Sequence, residues 1–291
     1  MKLILLGANG MFGRDAVPLF EAAGHEILGA DLPEVDLADP ESLGSFLGRH
    51  PADVLLNAAA YTDVDGAESH REEAFRANAV GAQVAARLCR ERGMLLVHVS
   101  TDYVYPGEKP EGYLPVDPPG PALSLYGESK LEGERALREV LPPDRWLICR
   151  TQWLYGRFRG NFVETMLRLA RTEGRLKVVD DQWGVPTHTQ ELARQIAELL
   201  ARGARGIAHT VGGGGPVTWC DWAREVVTLA GLACPVEPIS WRDLQRPARR
   251  PVHAWLRDGS SPPLPARHWR ESLREYMDER RAAPPLRPDS A

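Results

Sequence analysis

Cysteine is scarce and scattered: Cys89, Cys149, Cys220 and Cys234 are the four in 291 residues, and no two stand at metal-ligand or redox spacing. Their isolation excludes a thiolate metal centre, a redox pair and a disulfide framework, and predicts reduced, mostly buried thiols in a cytoplasmic protein. A basic surplus is also missing. The 35 basic and 40 acidic residues are intermixed to a net charge of -5, so no basic stripe calls for nucleic acid. No apolar run approaches the roughly 20 residues of a membrane span. The apolar start, Met1 to Leu6, runs into a glycine turn with no small-residue cleavage site, and reads as a first buried strand rather than an export signal. What remains, 43% hydrophobic and 26% charged, is ordinary for a globular protein, and the length suits two domains with a site in the cleft between them.

Lys2 to Leu6 lacks polar alternation, as expected of a parallel strand covered on both faces. Gly7-Ala8-Asn9-Gly10-Met11-Phe12-Gly13 follows at once, and Arg14 to Ala23 reads as a helix. Glycines at this spacing allow a tight turn, close approach to a pyrophosphate, and close packing of helix on strand. A second strand, Glu26 to Ala30, delivers Asp31 where an acid binds the adenosine ribose hydroxyls. Dinucleotide binding is therefore predicted. A carboxylate there repels a 2′-phosphate and favours NADH.

Further buried strands are expected at Ala52 to Leu56, Met94 to Val99 and Trp146 to Thr151, alternating with helices at Asp36 to Arg49 and Glu68 to Arg92. The alternation gives an α/β fold with a doubly wound, Rossmann-type parallel sheet and a smaller, mostly C-terminal α+β substrate domain. The expected division is about 1–150 plus 188–212 for the dinucleotide domain and about 151–187 plus 213–281 for the other. The third strand stops at small residues, Asn57-Ala58-Ala59-Ala60-Tyr61-Thr62, which let a flat ring or ribose lie against the backbone. The fourth stops at Ser100-Thr101-Asp102-Tyr103-Val104-Tyr105, where Thr101 either hydrogen-bonds a substrate carbonyl or serves as a cap or turn former.

In Ser124-Leu125-Tyr126-Gly127-Glu128-Ser129-Lys130, the tyrosine and lysine share one face of a helix. A phenol titrating near 10 needs a neighbouring cation to exchange protons at neutral pH, and Lys130 is placed to be that cation. Later in the chain, helices are expected at Phe162 to Glu173, Gln190 to Arg202, Asp221 to Ala230 and Ala266 to Arg281, and strands at Leu176 to Val179 and Ile207 to Val211. Gly212 to Gly215 reads as a flexible turn, lacking the Lys-Ser/Thr of a phosphate loop. The arginines of Arg246-Pro247-Ala248-Arg249-Arg250-Pro251 form either a solvated face or a diphosphate clamp. Asp15 and Glu191 read as solvated acids on helix surfaces, and the proline-rich residues 282–291 as a disordered tail.

Taken together, these motifs resemble the extended short-chain dehydrogenase/reductase superfamily and, more narrowly, the dTDP-4-dehydrorhamnose reductase family. The narrower resemblance rests on Asn57 to Thr62 with Val64-Asp65 and Ala67-Glu68, on Ser100 to Tyr105, on Tyr126 to Lys130 with Gly133-Glu134, and on Arg150 to Trp153. Asn161-Phe162-Val163 and Asp181-Gln182 with Gly184 and Pro186-Thr187 add specificity against sugar-nucleotide epimerases of the same fold. The resemblance implies reduction by NADPH or NADH of the C4 ketone of a nucleotide-linked deoxysugar, with Thr101, Tyr126 and Lys130 catalytic. It implies coenzyme contacts from Gly7, Asn9, Gly10, Met11, Phe12, Gly13, Asp31, Asp36, Leu37, Ala58, Ala59, Ala60, Tyr61, Asn78 and Ser100, besides Tyr126 and Lys130. Substrate contacts fall to Thr101, Asp102, Tyr103, Trp153, Asn161 and Arg250, with Arg150 beside them. It also admits a divalent cation and a homodimer. Met11 stands where many members have glutamine, Leu114-Pro115 where an acid is common, and Val252-His253-Ala254-Trp255 where Ser-x-Leu is usual; these bear on sugar and nucleotide, not on the redox step. Two other classes fit the same residues: an epimerase or dehydratase that retains its coenzyme, and a non-catalytic dinucleotide-binding regulator.

Overall fold

The computed structural model describes residues 1–282. The chain opens with β1 (Lys2–Leu6), α1 (Met11–Ala22), β2 (Glu26–Ala30), α2 (Pro40–Arg49) and β3 (Val54–Asn57). Next come α3 (Arg71–Phe75), α4 (Gly81–Arg92), β4 (Leu95–Thr101), α5 (Leu125–Val140), β5 (Trp146–Thr151) and the short β6 (Leu154–Tyr155). The remainder is α6 (Phe162–Thr172), β7 (Leu176–Val179), β8 (Trp183–Gly184), β9 (Thr187–His188), α7 (Thr189–Ala201), β10 (Gly206–His209), β11 (Val217–Thr218), α8 (Trp219–Leu229), β12 (Val236–Ile239) and α9 (Trp269–Ala282).

Six strands form one sheet in the order β10-β5-β4-β3-β1-β2, parallel at every pairing. This is the doubly wound sheet predicted, and the strands need their apolar runs because helices cover both faces. Ile4, Leu6, Leu55, Leu96 and Ile148 face one buried cluster with α2, α4 and α5; Leu3, Leu5, Leu56, Val97 and Leu147 face the other with α1 and α7. Strand order reverses between β1 and β3, so a crevice opens at their carboxyl ends. A third cluster, built by α6, β7, α8 and α9 around the fully buried Trp222, Trp269 and Tyr276, supports the opposite wall.

Several local expectations are corrected. The helix expected from Asp36 begins only at Pro40, because Asp39 caps it through Glu41 N and Ser42 N while Asp36 turns its own carboxylate onto Ala38 N. The single helix expected over Glu68 to Arg92 is broken by a π-turn at Arg76–Val80, which turns Asn78 into the interior. Gly212 to Gly214 are packed rather than a flexible turn: a Cβ on Gly212 would lie 2.5 Å from Pro186 O, one on Gly213 2.6 Å from Ala266 O and one on Gly214 2.6 Å from His268 Nε2, whereas Gly215 faces open space. Asp15 and Glu191 are buried rather than solvated, Asp15 accepting from Thr189 Oγ1 and Glu191 from Arg267. All four cysteines are free and buried, as predicted. Among the described residues no helix is long and apolar enough to cross a membrane, and no group of three or more His, Cys, Asp or Glu gathers to hold a metal ion. The tail expected to be disordered lies outside the described residues except Ala282, which closes α9.

Candidate active site

The glycine turn is built for close approach. Gly7 has φ +83°, and a Cβ on it would lie 2.8 Å from Ala59 N; a Cβ on Gly13 would lie 2.3 Å from Gly7 O. No side chain caps α1 at Gly10, and no acid occupies the first turn, so the N–H groups of Met11, Phe12 and Gly13 have no partner within the helix. Such a terminus attracts an anion, and the turn fits a pyrophosphate. Asp31, at the end of β2, accepts from Asn9 N at 2.9 Å and Leu32 N at 2.8 Å, which fixes its carboxylate beside the turn. The half-buried Ala58, Ala59 and Ala60 continue the rim from β3.

The other coenzyme-side expectations divide. Asp36 is paired with Arg76 at 2.5 Å, which holds its carboxyl below the usual range, and Leu37 is buried. Asn78 is committed internally, accepting from Tyr61 N at 2.9 Å and donating to Tyr61 O and Ser129 Oγ at 3.1 and 2.9 Å. It positions the Tyr61 backbone. Ser100 donates its hydroxyl to Glu134 at 2.6 Å.

Tyr126 and Lys130 project from the first turns of α5, which Ser124 caps through Gly127 N. Tyr126 is half-buried and meets Tyr103 edge to face at a centroid distance of 5.4 Å. Burial pushes its phenol up to about 12; the Thr101 hydroxyl beside it pulls downward, and the Asp102 carboxylate pushes further up. Lys130 is 3% exposed and donates to Val99 O at 2.7 Å, and burial lowers its ammonium to about 8 against the opposing pull of Glu134. Burial, Thr101 and Asp102 are thus the groups that set the phenol in this arrangement, and Lys130 is not among them. Of its two expected roles Thr101 shows the cap: its hydroxyl accepts from Tyr103 N at 3.2 Å at the start of the turn Asp102–Val104 and donates to Asp102 Oδ1 at 3.1 Å. Asp102 is buried, with its carboxyl raised to about 7 by desolvation. The local sequence gave no signal for His98, which receives the Asn57 amide on Nδ1 at 3.1 Å and lies with Nε2 3.5 Å from Lys130 Nζ.

Tyr103 also lines a cavity of about 340 Å³ that opens toward β7. Its walls combine Phe162, Met166, Trp219 and Trp241 with the cations Lys177, Arg246, Arg249 and Arg250. The mixture suits a flat base and a polyanion. Trp219 and Trp241 stand in the sequence without a local mark; only folding brings them here. Three expected substrate residues are placed otherwise. Arg150 is wholly buried in a two-bond pair with Glu134, 2.9 Å through Nε and 2.5 Å through Nη2, so its guanidinium is spent inside the core. The Asn161 side chain caps α6 through Glu164 N at 3.2 Å and donates to Gly156 O at 2.7 Å. Trp153 sits at φ +45° with its ring stacked 3.6 Å from that of Trp219, so it backs the cavity wall rather than forming it. Arg250 lines the cavity, yet its guanidinium is bound to Asp65 at 2.8 and 3.0 Å.

Comparison with known proteins matches residues 1–282 to the model of the RmlD substrate binding domain. A dTDP-4-dehydrorhamnose reductase of Streptomyces griseus is 39% identical over 94% of this chain and 92% of its own. A dTDP-4-keto-6-deoxy-D-glucose reductase of Streptomyces niveus is 36% identical over 94% and 95%. The crystal structure of a dTDP-4-dehydrorhamnose reductase of Bacillus anthracis in complex with NADP superposes with a TM-score of 0.91 at 31% identity, covering 96% of this chain and 99% of that one.

Proposed function

Starting from the dTDP-4-dehydrorhamnose reductase family, to which this chain belongs, we propose that it reduces the C4 ketone of a dTDP-linked deoxysugar with NADPH or NADH, most specifically dTDP-4-dehydro-L-rhamnose to dTDP-L-rhamnose. The chain is an NAD(P)H-dependent oxidoreductase. The observation that carries the reading is the junction of the two sites: Tyr103 lines the cavity with its four cations on one side and packs against Tyr126 on the other.

In this reading the first-turn N–H groups of α1 hold the coenzyme's pyrophosphate, and Asp31 accepts from the adenosine ribose. The bound nicotinamide supplies hydride to the ketone carbon. Tyr126 gives its proton to the oxygen that becomes the alcohol, and Thr101 stands beside that oxygen. Lys130 fixes the nicotinamide ribose through its ammonium. Phe162, Trp219 and Trp241 take the base while Arg246, Arg249 and Lys177 neutralise the diphosphate.

Mixing the purified protein with NADPH and the 4-keto sugar nucleotide tests this. The expected result is stoichiometric loss of the NADPH absorbance with formation of the 4-hydroxy sugar. Turnover that leaves tightly held coenzyme unconsumed would identify an epimerase or dehydratase, and absence of turnover with 4-keto sugar nucleotides would identify the regulatory alternative.

A further inference from the structure

The segment from Ala58 to Glu68 touches all three parts of the site. At its start, the backbone of Ala58 and Ala59 packs so closely on Gly7 that a Cβ there would meet it at 2.8–2.9 Å. Midway, Tyr61 is tied through Asn78 to Ser129 on α5. At its end, Glu68 accepts from Leu125 N, the first residue of α5, at 2.9 Å. Between these ties Asp65 reaches across the cleft. Its carboxylate accepts from both terminal nitrogens of Arg250, at 3.0 and 2.8 Å, and from Ala248 N at 3.2 Å, with Arg246 3.6 Å away. Arg250 gives a further bond to Ala248 O at 3.1 Å, so three of its five N–H donors hold the rim of the cavity.

We propose that Asp65 is a positioning residue that couples the two halves of the site, so that coenzyme on the glycine turn tightens the binding of a nucleoside diphosphate in the cavity. The idea rests on the assignment of that cavity to the nucleotide sugar. One carboxylate holds Ala248 and Arg250, and Arg246 and Arg249 lie on the same short stretch, so fixing Asp65 fixes the spacing of the cations that meet the diphosphate. The segment is held along its length: Asp63 Oδ1 accepts from Gly66 N at 2.9 Å, Ala67 N donates to Asp63 O at 3.0 Å, Ala67 is fully buried, and within 58–68 only Thr62 and Asp63 are exposed. A chain tied at so many points passes a displacement at the glycine turn on to Asp65, and the linkage is reciprocal. A bidentate Arg–carboxylate pair is geometrically exacting, which suits it to transmit position rather than charge alone.

The test is calorimetric titration of dTDP into the full chain, with and without saturating NADPH. For the wild type, NADPH should tighten dTDP binding by roughly 5–150-fold, the usual range of coupling between sites. In Asp65→Asn this ratio should fall toward one, and in Asp65→Glu, which keeps a carboxylate, part of it should return. Arg250→Lys, which keeps the charge and loses the fork, should lower the ratio as well and serves if Asp65→Asn does not fold. A wild type without coupling, or a folded Asp65→Asn with the wild-type ratio, overturns the proposal and leaves the cavity assignment standing. Failure of dTDP to bind the wild type under either condition overturns both.

Discussion

Lys130 gives its shortest hydrogen bond to the backbone carbonyl of Val99, 2.7 Å away on the neighbouring strand, although it shares a helical face with Tyr126. The lysine is thereby anchored to β4, and its ammonium is buried in a setting that lowers it to about 8. A base whose folded value is depressed sheds its proton earlier as pH rises. In the free enzyme, coenzyme affinity should therefore weaken as pH passes upward through about 8, where the ribose loses its cationic donor. Lys130→Met should bind coenzyme more weakly and show no such step. Fluorescence titration of NADPH across this range checks it; a step of wild-type size in the mutant would remove Lys130 from coenzyme binding.

Tyr126→Phe deletes the only proton the phenol can give while keeping the ring against Tyr103. Reduction should slow by about 10²–10⁴-fold, the usual contribution of a general acid, with coenzyme affinity nearly unchanged. Single-turnover rates and a separate coenzyme Kd distinguish this from a packing defect. Near wild-type turnover would move the proton transfer elsewhere.

Asp102 is buried with its carboxyl raised to about 7. Between about 4, its value in the unfolded chain, and about 7, the folded protein holds a proton that the unfolded chain has released. Its contribution to stability is complete below that interval and is lost as pH rises through it. Asp102→Asn stays neutral throughout, so its stability relative to wild type should climb from pH 4 to pH 7 and then level off. Urea unfolding at several pH values measures this; a difference independent of pH would show that Asp102 titrates normally.

Arg150 and Glu134 are both wholly buried and joined by two bonds, with Tyr105 OH receiving Arg150 Nη1 at 2.5 Å. Removing one partner strands the other charge. Arg150→Met should destabilise the fold by about 3–5 kcal/mol, whereas Arg150→Met with Glu134→Leu should recover much of that loss. Chemical denaturation of the single and double variants decides it; additive losses would mean that the pair is not coupled.

The sequence by itself determined the elements whose signal is local. β1, β2 and β7 span the residues expected for them, because a short, mostly apolar run bounded by turn residues needs no distant partner to define it. The glycine turn and the Tyr126–Lys130 face are likewise set by spacing along a few residues. Tertiary structure alone decided which polar groups were consumed. Asp15 looked solvated until Thr189, 174 positions away, closed on it; Arg150 looked available until Glu134 took it into the core; and Asp65 was one residue of a motif until Arg250, 185 positions away, crossed the cleft to meet it. Tryptophans 219 and 241 became a wall beside Tyr103 in the same way. Hydrophobic periodicity reports which face of an element is buried, but a polar side chain is free or spent according to its nearest partner in space, and that partner is chosen by packing between elements far apart in the chain.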